Sequence, residues 1–131
     1  MENLFIQSTN SSPEVEFSVE SNVFRMLGES CMSDANLFYA PVLDWLKAYG
    51  KKPQGCVEFN FSFSTISQSS MKMLLFVCQE IKSLEIDGCE VRVSWCFSRG
   101  NIDLKEIGQD ISYMTELDFD YVLMEESLEL A

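Results

Sequence analysis

Val57, Phe59, Phe61 and Phe63 alternate with Glu58, Asn60, Ser62 and Ser64, the period of two that a strand shows when one face is buried. Past the segment Ile66-Ser67-Gln68-Ser69-Ser70 the period changes. Met71, Leu74, Leu75 and Cys78 begin a helix that runs to about Glu85, on the spacing of a helical stripe. Asp87-Gly88 is a turn signal, and Val91, Val93 and Trp95 then alternate with Arg92, Ser94 and Cys96 in another strand. Strand, helix and strand in succession make a crossover unit, right-handed by rule. This unit is the strongest constraint on the fold.

The flanking segments extend it. Residues 7 to 13 form a polar loop ending in Pro13, and Val15, Phe17 and Val19 alternate with Glu14, Glu16, Ser18 and Glu20. Ser21-Asn22 is a turn, and Val23 to Leu27 gives a second strand ending at Gly28, so residues 14 to 27 are predicted as a hairpin. From Asn36, Leu37, Phe38, Val42, Leu43, Trp45, Leu46 and Tyr49 follow a helical stripe, capped by Ser33 or Asp34 and ended by Gly50. Pro41 bends that helix if it lies in the interior; the alternative is a helix starting near Ala40 with Pro41 in its first position. Lys51 to Gly55 is a loop. Asn101 or Asp103 caps a short helix carrying Leu104 and Ile107, with Gly108 as its possible end, and Phe119 to Met124 reads as a last strand before the acidic residues Glu125, Glu126 and Glu129. The expected fold is α/β: one domain over residues 1–131, a mixed sheet of about five to six strands with about three helices packed on it.

Charge narrows the function. Nine Lys plus Arg against 21 Asp plus Glu leave −12, which repels nucleic-acid phosphates and anionic lipid, so neither is an expected partner. The absence of histidine from the sequence removes the usual general base and the commonest metal ligand. Asp118 with Asp120, or Glu125 with Glu126, are the carboxylate pairs, but metal loops add backbone oxygens and a tight glycine turn, so these read as solvated faces and neither metal nor cofactor is expected. The start Met1-Glu2-Asn3-Leu4-Phe5-Ile6 is no signal peptide and no stretch is long enough for a membrane span. A cytoplasmic, reducing location is expected, and Cys31, Cys56, Cys78, Cys89 and Cys96 read as buried thiols rather than ligands. Cys31, in a polar loop, is the thiol to consider if the domain binds a small molecule or performs thiol chemistry. Trp45 and Trp95 lie on apolar stripes and read as core or interface anchors.

The chemistry concentrates where the strand of residues 57 to 63 enters the following helix. Ser67-Gln68-Ser69-Ser70 places three hydroxyls at a helix N-terminus, where unpaired backbone N–H groups and the helix dipole favour negative charge. Capping accounts for one or two of them. Ser67, Ser69 and Ser70 are also candidate phosphoacceptors, with Lys72 nearby. Met73, Phe76 and Val77 make the helix apolar on more than one side, so it is either central or holds a surface for a partner.

Gly28-Glu29-Ser30, Leu37-Phe38-Tyr39-Ala40-Pro41-Val42-Leu43-Asp44-Trp45-Leu46, Ser69-Ser70-Met71-Lys72, Val91-Arg92-Val93-Ser94-Trp95 and Gly108-Gln109-Asp110, in that order and spacing, resemble the SiaC family of bacterial regulatory phosphoproteins over nearly the whole chain. The resemblance implies a STAS-like fold and a non-enzymatic partner-switching role. In that family a cognate kinase phosphorylates a threonine at the helix N-terminus, a PP2C-type phosphatase reverses it, and the unphosphorylated form binds and activates a diguanylate cyclase. An added phosphate charge at a contact helix opposes docking by repulsion and desolvation. The family's Asn-Thr-Ser-Ser motif falls on Ser67-Gln68-Ser69-Ser70, so Gln68 occupies the acceptor position. Either Ser67 or Ser69 has taken over, or the register is displaced, or the chain is fixed in the binding-competent form. The turn departs too, with Ser30-Cys31-Met32-Ser33-Asp34 where the family has Ser-Tyr-Pro-Glu-Asn. The partner face implied is Ser67, Gln68, Ser69, Ser70, Met71, Lys72, Met73 and Phe76. A STAS-like anti-anti-sigma module is the alternative within regulation.

Overall fold

The computed structural model describes residues 1–51 and 55–124. Its elements, in chain order, are β1 (Leu4–Ile6), β2 (Glu14–Ser18), β3 (Val23–Ser30), α1 (Ala35–Tyr49), β4 (Cys56–Ile66), α2 (Gln68–Ile86), β5 (Glu90–Ser98), α3 (Ile102–Thr115) and β6 (Phe119–Met124). The six strands form one sheet whose spatial order is the chain order, β1-β2-β3-β4-β5-β6. The pairs β1/β2 and β2/β3 are antiparallel; β3/β4, β4/β5 and β5/β6 are parallel. The mixed α/β sheet with three helices is the expected architecture.

Each parallel connection steps to the next strand in the same direction, so crossovers of one hand place all three helices on one face. The helices touch in sequence, α1 on α2 and α2 on α3. Burial follows from this layering. Side chains of a strand alternate between faces, and the inward set forms cross-strand rows: Phe17, Phe24, Phe59, Val93 and Phe119 in one, Val15, Met26, Phe61 and Trp95 in the next, all buried. Aromatic rings dominate these rows. Phe24 meets Trp45, Tyr49 and Phe59 edge-on, with centroids 4.9 to 5.2 Å apart, an arrangement that adds to area burial because ring edges and faces carry opposite partial charge. Trp45 and Trp95 are thus core anchors, the first half-buried and the second fully buried.

Several boundaries differ from the sequence expectation. Leu4–Ile6 pairs with β2, a strand too short for a period to reveal it; Trp45 fixes it by donating its indole N–H to the Glu2 carbonyl (2.9 Å). Strand β3 does not end at Gly28, nor is Gly28-Glu29-Ser30 a turn. The strand continues to Ser30 through a register shift at Gly28/Glu29, where Gly28 adopts φ +115, a left-handed value that favours glycine. Helix α1 starts at Ala35 with Asp34 as cap, so Pro41 lies inside it. The Leu37 carbonyl, deprived of its i+4 donor, belongs to a residue 80% exposed, where water can replace the missing bond.

Gly108 does not end α3. A Cβ there would lie 2.5 Å from Trp95 Nε1, and the indole N–H donates to the Leu104 carbonyl (2.8 Å) one turn earlier. The glycine lets helix and indole approach, and α3 runs on to Thr115, where Glu116 ends it with a left-handed φ of 60. Cys78 and Cys89 are buried as expected and Cys96 is half-buried, but Cys31 and Cys56 are exposed. Cys56 opens β4 opposite in phase to Val57, on the sheet face that carries no helix. Glu125, Glu126 and Glu129 lie outside the described residues, as do positions 52–54.

Two outcomes follow for stability. Gly108→Ala forces overpacking against Trp95 and is expected to lower unfolding free energy by about 1–3 kcal/mol, read by denaturant titration. Cys78, fully buried, has its thiol pushed up to about 12 by desolvation. The unfolded chain ionises that thiol first, from about pH 9, so its contribution is complete below pH 9 and is lost progressively as pH rises toward about 12. Cys78→Ala should flatten that alkaline decline.

Candidate functional site

The parallel strands deliver β3, β4 and the starts of α1 and α2 to one edge of the sheet, the carboxyl ends of the strands where α/β sheets usually place their sites. Four hydroxyls meet there. The Ser30 hydroxyl donates to Ser70 Oγ (2.8 Å) and lies 2.7 Å from the Tyr39 hydroxyl. Ser67 Oγ is 3.1 Å from Ser70 Oγ and donates to the Met32 carbonyl (3.0 Å). Tyr39, Ser30, Ser70 and Ser67 thus form a continuous chain linking α1, β3 and α2 to the loop at Met32. Ser30, Tyr39 and Ser70 are wholly inaccessible to solvent, so each polar oxygen depends on the others for the hydrogen bonds it loses to water. Burial raises the Tyr39 phenol above its ordinary range, the Ser30 hydrogen bond opposing this only in part.

The backbone reinforces the junction. Ser67 N–H donates to the Ser30 carbonyl (2.8 Å), joining the ends of β3 and β4. Ser67 is the cap of α2, its hydroxyl accepting the Ser70 N–H at 3.1 Å, a bond typical of serine at this position. Ser69 serves the neighbouring helix: its hydroxyl accepts the Ala35 N–H of α1 at 3.0 Å. The first turns of α1 and α2 are therefore locked side by side, α1 capped in part by Ser69 of α2.

Placement sorts the residues named from sequence into two sets. Ser70 at 0% and Met73 at 6% exposure belong to the interior, on the helical stripe with Leu74, Val77 and Cys78, and this corrects their assignment to an accessible face. Ser67, Ser69 and Met71 are half-buried, whereas Gln68, Lys72 and Phe76 are exposed. The last three recur every four residues and form one stripe on the outer side of α2. Phe76 is 41% exposed. Leu37, in the first turn of α1, is also exposed and was not singled out by the sequence pattern, because its place in the apolar stripe of α1 gives no sign that it points outward.

The remaining sites are plain. The Cys31 thiol donates to the Glu29 carboxylate at 3.7 Å, an acidic rather than a basic neighbour for a nucleophile. Asp118 and Asp120 are exposed, and among the described residues no group of His, Cys, Asp or Glu could hold a metal ion. Among those residues no helix is long and apolar enough to cross a membrane.

Residues 6–124 match the model of the SiaC family regulatory phosphoproteins. An uncharacterized protein of Pseudomonas aeruginosa (strain UCBPP-PA14) is 21% identical over 110 residues, which is 84% of this chain and 87% of that protein. The crystal structure of apo-SiaC from Pseudomonas aeruginosa superposes with a TM-score of 0.83 at 19% identity, covering 95% of this chain and all of the other. SiaC in the crystal structure of the diguanylate cyclase SiaD with its activator SiaC, from the same organism, gives 0.84 at 19% identity over 92% of this chain and 99% of that one. The structural likeness carries the fold.

Ser70→Ala should remove the shared partner of Ser30 and Ser67 and lower stability by about 1–3 kcal/mol. Gln68→Ala, at an exposed site, should change it by less than about 0.5 kcal/mol. Thermal denaturation of both variants measures the contrast.

Proposed function

The chain belongs to the SiaC family of regulatory phosphoproteins, and from that premise we propose that it works without catalysis of its own, by docking on a diguanylate cyclase through the outer face of α2. The exposed stripe of Gln68, Lys72 and Phe76 carries this reading. It begins at the junction where a first-turn modification would act, and it presents an apolar ring to solvent. A relative of the same fold is the activator of such a cyclase, which supports the choice of partner. Ser67, Ser69 and Met71 flank the stripe and form its margin.

The same geometry bears on regulation. In this chain the exposed first-turn position is Gln68, which offers no hydroxyl to a kinase. The neighbouring hydroxyls are committed to structure: Ser67 caps α2, Ser69 receives the Ala35 N–H, and Ser70 is buried. Phosphorylation of any of them breaks a bond that holds α1 and α2 together. The protein therefore acts as a permanently docking-competent member of a partner-switching system, and the kinase and PP2C-type phosphatase that would act on a threonine have no substrate at Gln68.

Two measurements test this. Protein purified from its native host should be unmodified at Ser67, Ser69 and Ser70 by mass spectrometry; stoichiometric phosphate on Ser69 would show the switch moved rather than lost. Affinity capture with wild-type protein should retain a diguanylate cyclase, and Phe76→Asp should reduce that capture at least about tenfold, since a charge in a desolvated contact costs several kcal/mol. Capture of an anti-sigma kinase instead points to the anti-anti-sigma alternative.

A further inference from the structure

The acidic residues of this protein are spread over nearly every element: Glu14 and Glu16 on β2, Asp44 on α1, Glu90 on β5, Asp103, Glu106 and Asp110 on α3, and Asp120 on β6. The longest run without one lies in the middle of the chain. From Phe59 to Gln79 the sequence contains no Asp or Glu, and its single charged residue is Lys72. That stretch contains most of β4, whose apolar side chains are buried, and the part of α2 that bears the exposed stripe. In a chain of net charge −12, the first half of α2 carries Lys72 and no acid, the next carboxylate being Glu80, one turn beyond Phe76.

Lys72 is exposed and makes no ion pair among the described residues, whose two salt bridges are Arg25 with Glu16 and Lys82 with Glu85. One turn along the helix, Phe76 exposes its ring. One turn before, Gln68 is uncharged. An ammonium and an aromatic ring at i and i+4 stand side by side on a helix surface. A partner with a basic contact surface would be repelled here and drawn to the carboxylates elsewhere, because opposite potentials guide docking and like charges placed together oppose it.

Taking the docking face proposed above as its starting point, we infer that the occupant is an amphipathic segment of a partner protein that sets a carboxylate against Lys72 and an apolar side chain against Phe76. Charge complementarity selects this occupant over a basic segment. The acid-free stretch acts as a local exemption from the protein's general repulsion of acidic partners, so the negative charge of the remaining surface filters out misplaced contacts while this face accepts one.

The test uses the full chain as affinity bait in host lysate, with the binder most enriched by wild type as the readout. Lys72→Glu should reduce its capture by about tenfold or more, Lys72→Arg should retain it, and Lys47→Glu, an exposed charge reversal on α1, should leave it unchanged. Carbodiimide treatment of the wild-type complex should couple Lys72 Nζ to an Asp or Glu of the binder, flanked by apolar residues, as identified by mass spectrometry. Lys72 is exposed and makes no ion pair among the described residues, so circular dichroism of Lys72→Glu should match wild type. Capture unchanged or raised by Lys72→Glu, or cross-links that avoid Lys72, overturns the inference. If the binder is a cyclase but ignores Lys72, the docking chemistry fails and the proposed function stands. If a Lys72-dependent, cross-linked binder is not a cyclase, the reverse holds. No enriched binder overturns both.

Discussion

The contact between the Ser30 and Ser70 hydroxyls, 2.8 Å long and sealed from solvent, is the point at which strand, first helix and second helix are fixed relative to one another. A buried hydroxyl without a partner is costly, and a chain of them is stable only when every member is satisfied. Tyr39 from α1, Ser30 from β3 and Ser67 and Ser70 from α2 satisfy one another and terminate on the Met32 carbonyl. The result is positional. The outer stripe of α2 and the exposed first turn of α1 keep one spacing because their inner sides share this network, three of whose four hydroxyls are sealed from solvent.

Much of the framework is written in periods. The alternation of Val57 to Phe63 and of Val91 to Trp95 marked the central parallel strands, and the change of period after Ser70 marked α2, because the strands bury one face and the helix one stripe. Phe119 to Met124 was legible for the same reason. What escaped was decided by contacts between distant residues. Gly108 looked like a helix end because glycine often is one, yet it is required by the Trp95 indole, and no local pattern reveals that approach. β1 is held by pairing and by the Trp45 indole rather than by its own pattern.

The candidate site divides along the same line. The serine cluster at the start of α2 announced a capped helix, and capping is what Ser67 does. The sequence could not say that Ser69 caps the other helix or that Ser70 faces inward, since both depend on how closely α1 lies beside α2. Met73 was drawn to the partner face by its apolar character in a helix with too many apolar positions. The packing shows that α2, flanked by α1 and α3 and laid on the sheet, has three sides to bury, so that most of those positions are interior, while Phe76 in its first half and Ile86 at its end stand outward.

The agreement between the order of the strands in the sheet and their order in the chain has a kinetic side. Every strand pairs with its immediate predecessor, so each loop closed during folding is short and the entropy of closure is met one crossover at a time. The sheet can grow from its amino-terminal hairpin as the chain leaves the ribosome, each βα segment docking on an edge already formed. The hydroxyl network requires nothing beyond Ser70, so the joint between α1 and α2 can close before α3 and β6 have been synthesised. A protein assembled in this way fixes its first two helices against each other early, and its sixth strand only extends an edge that already stands.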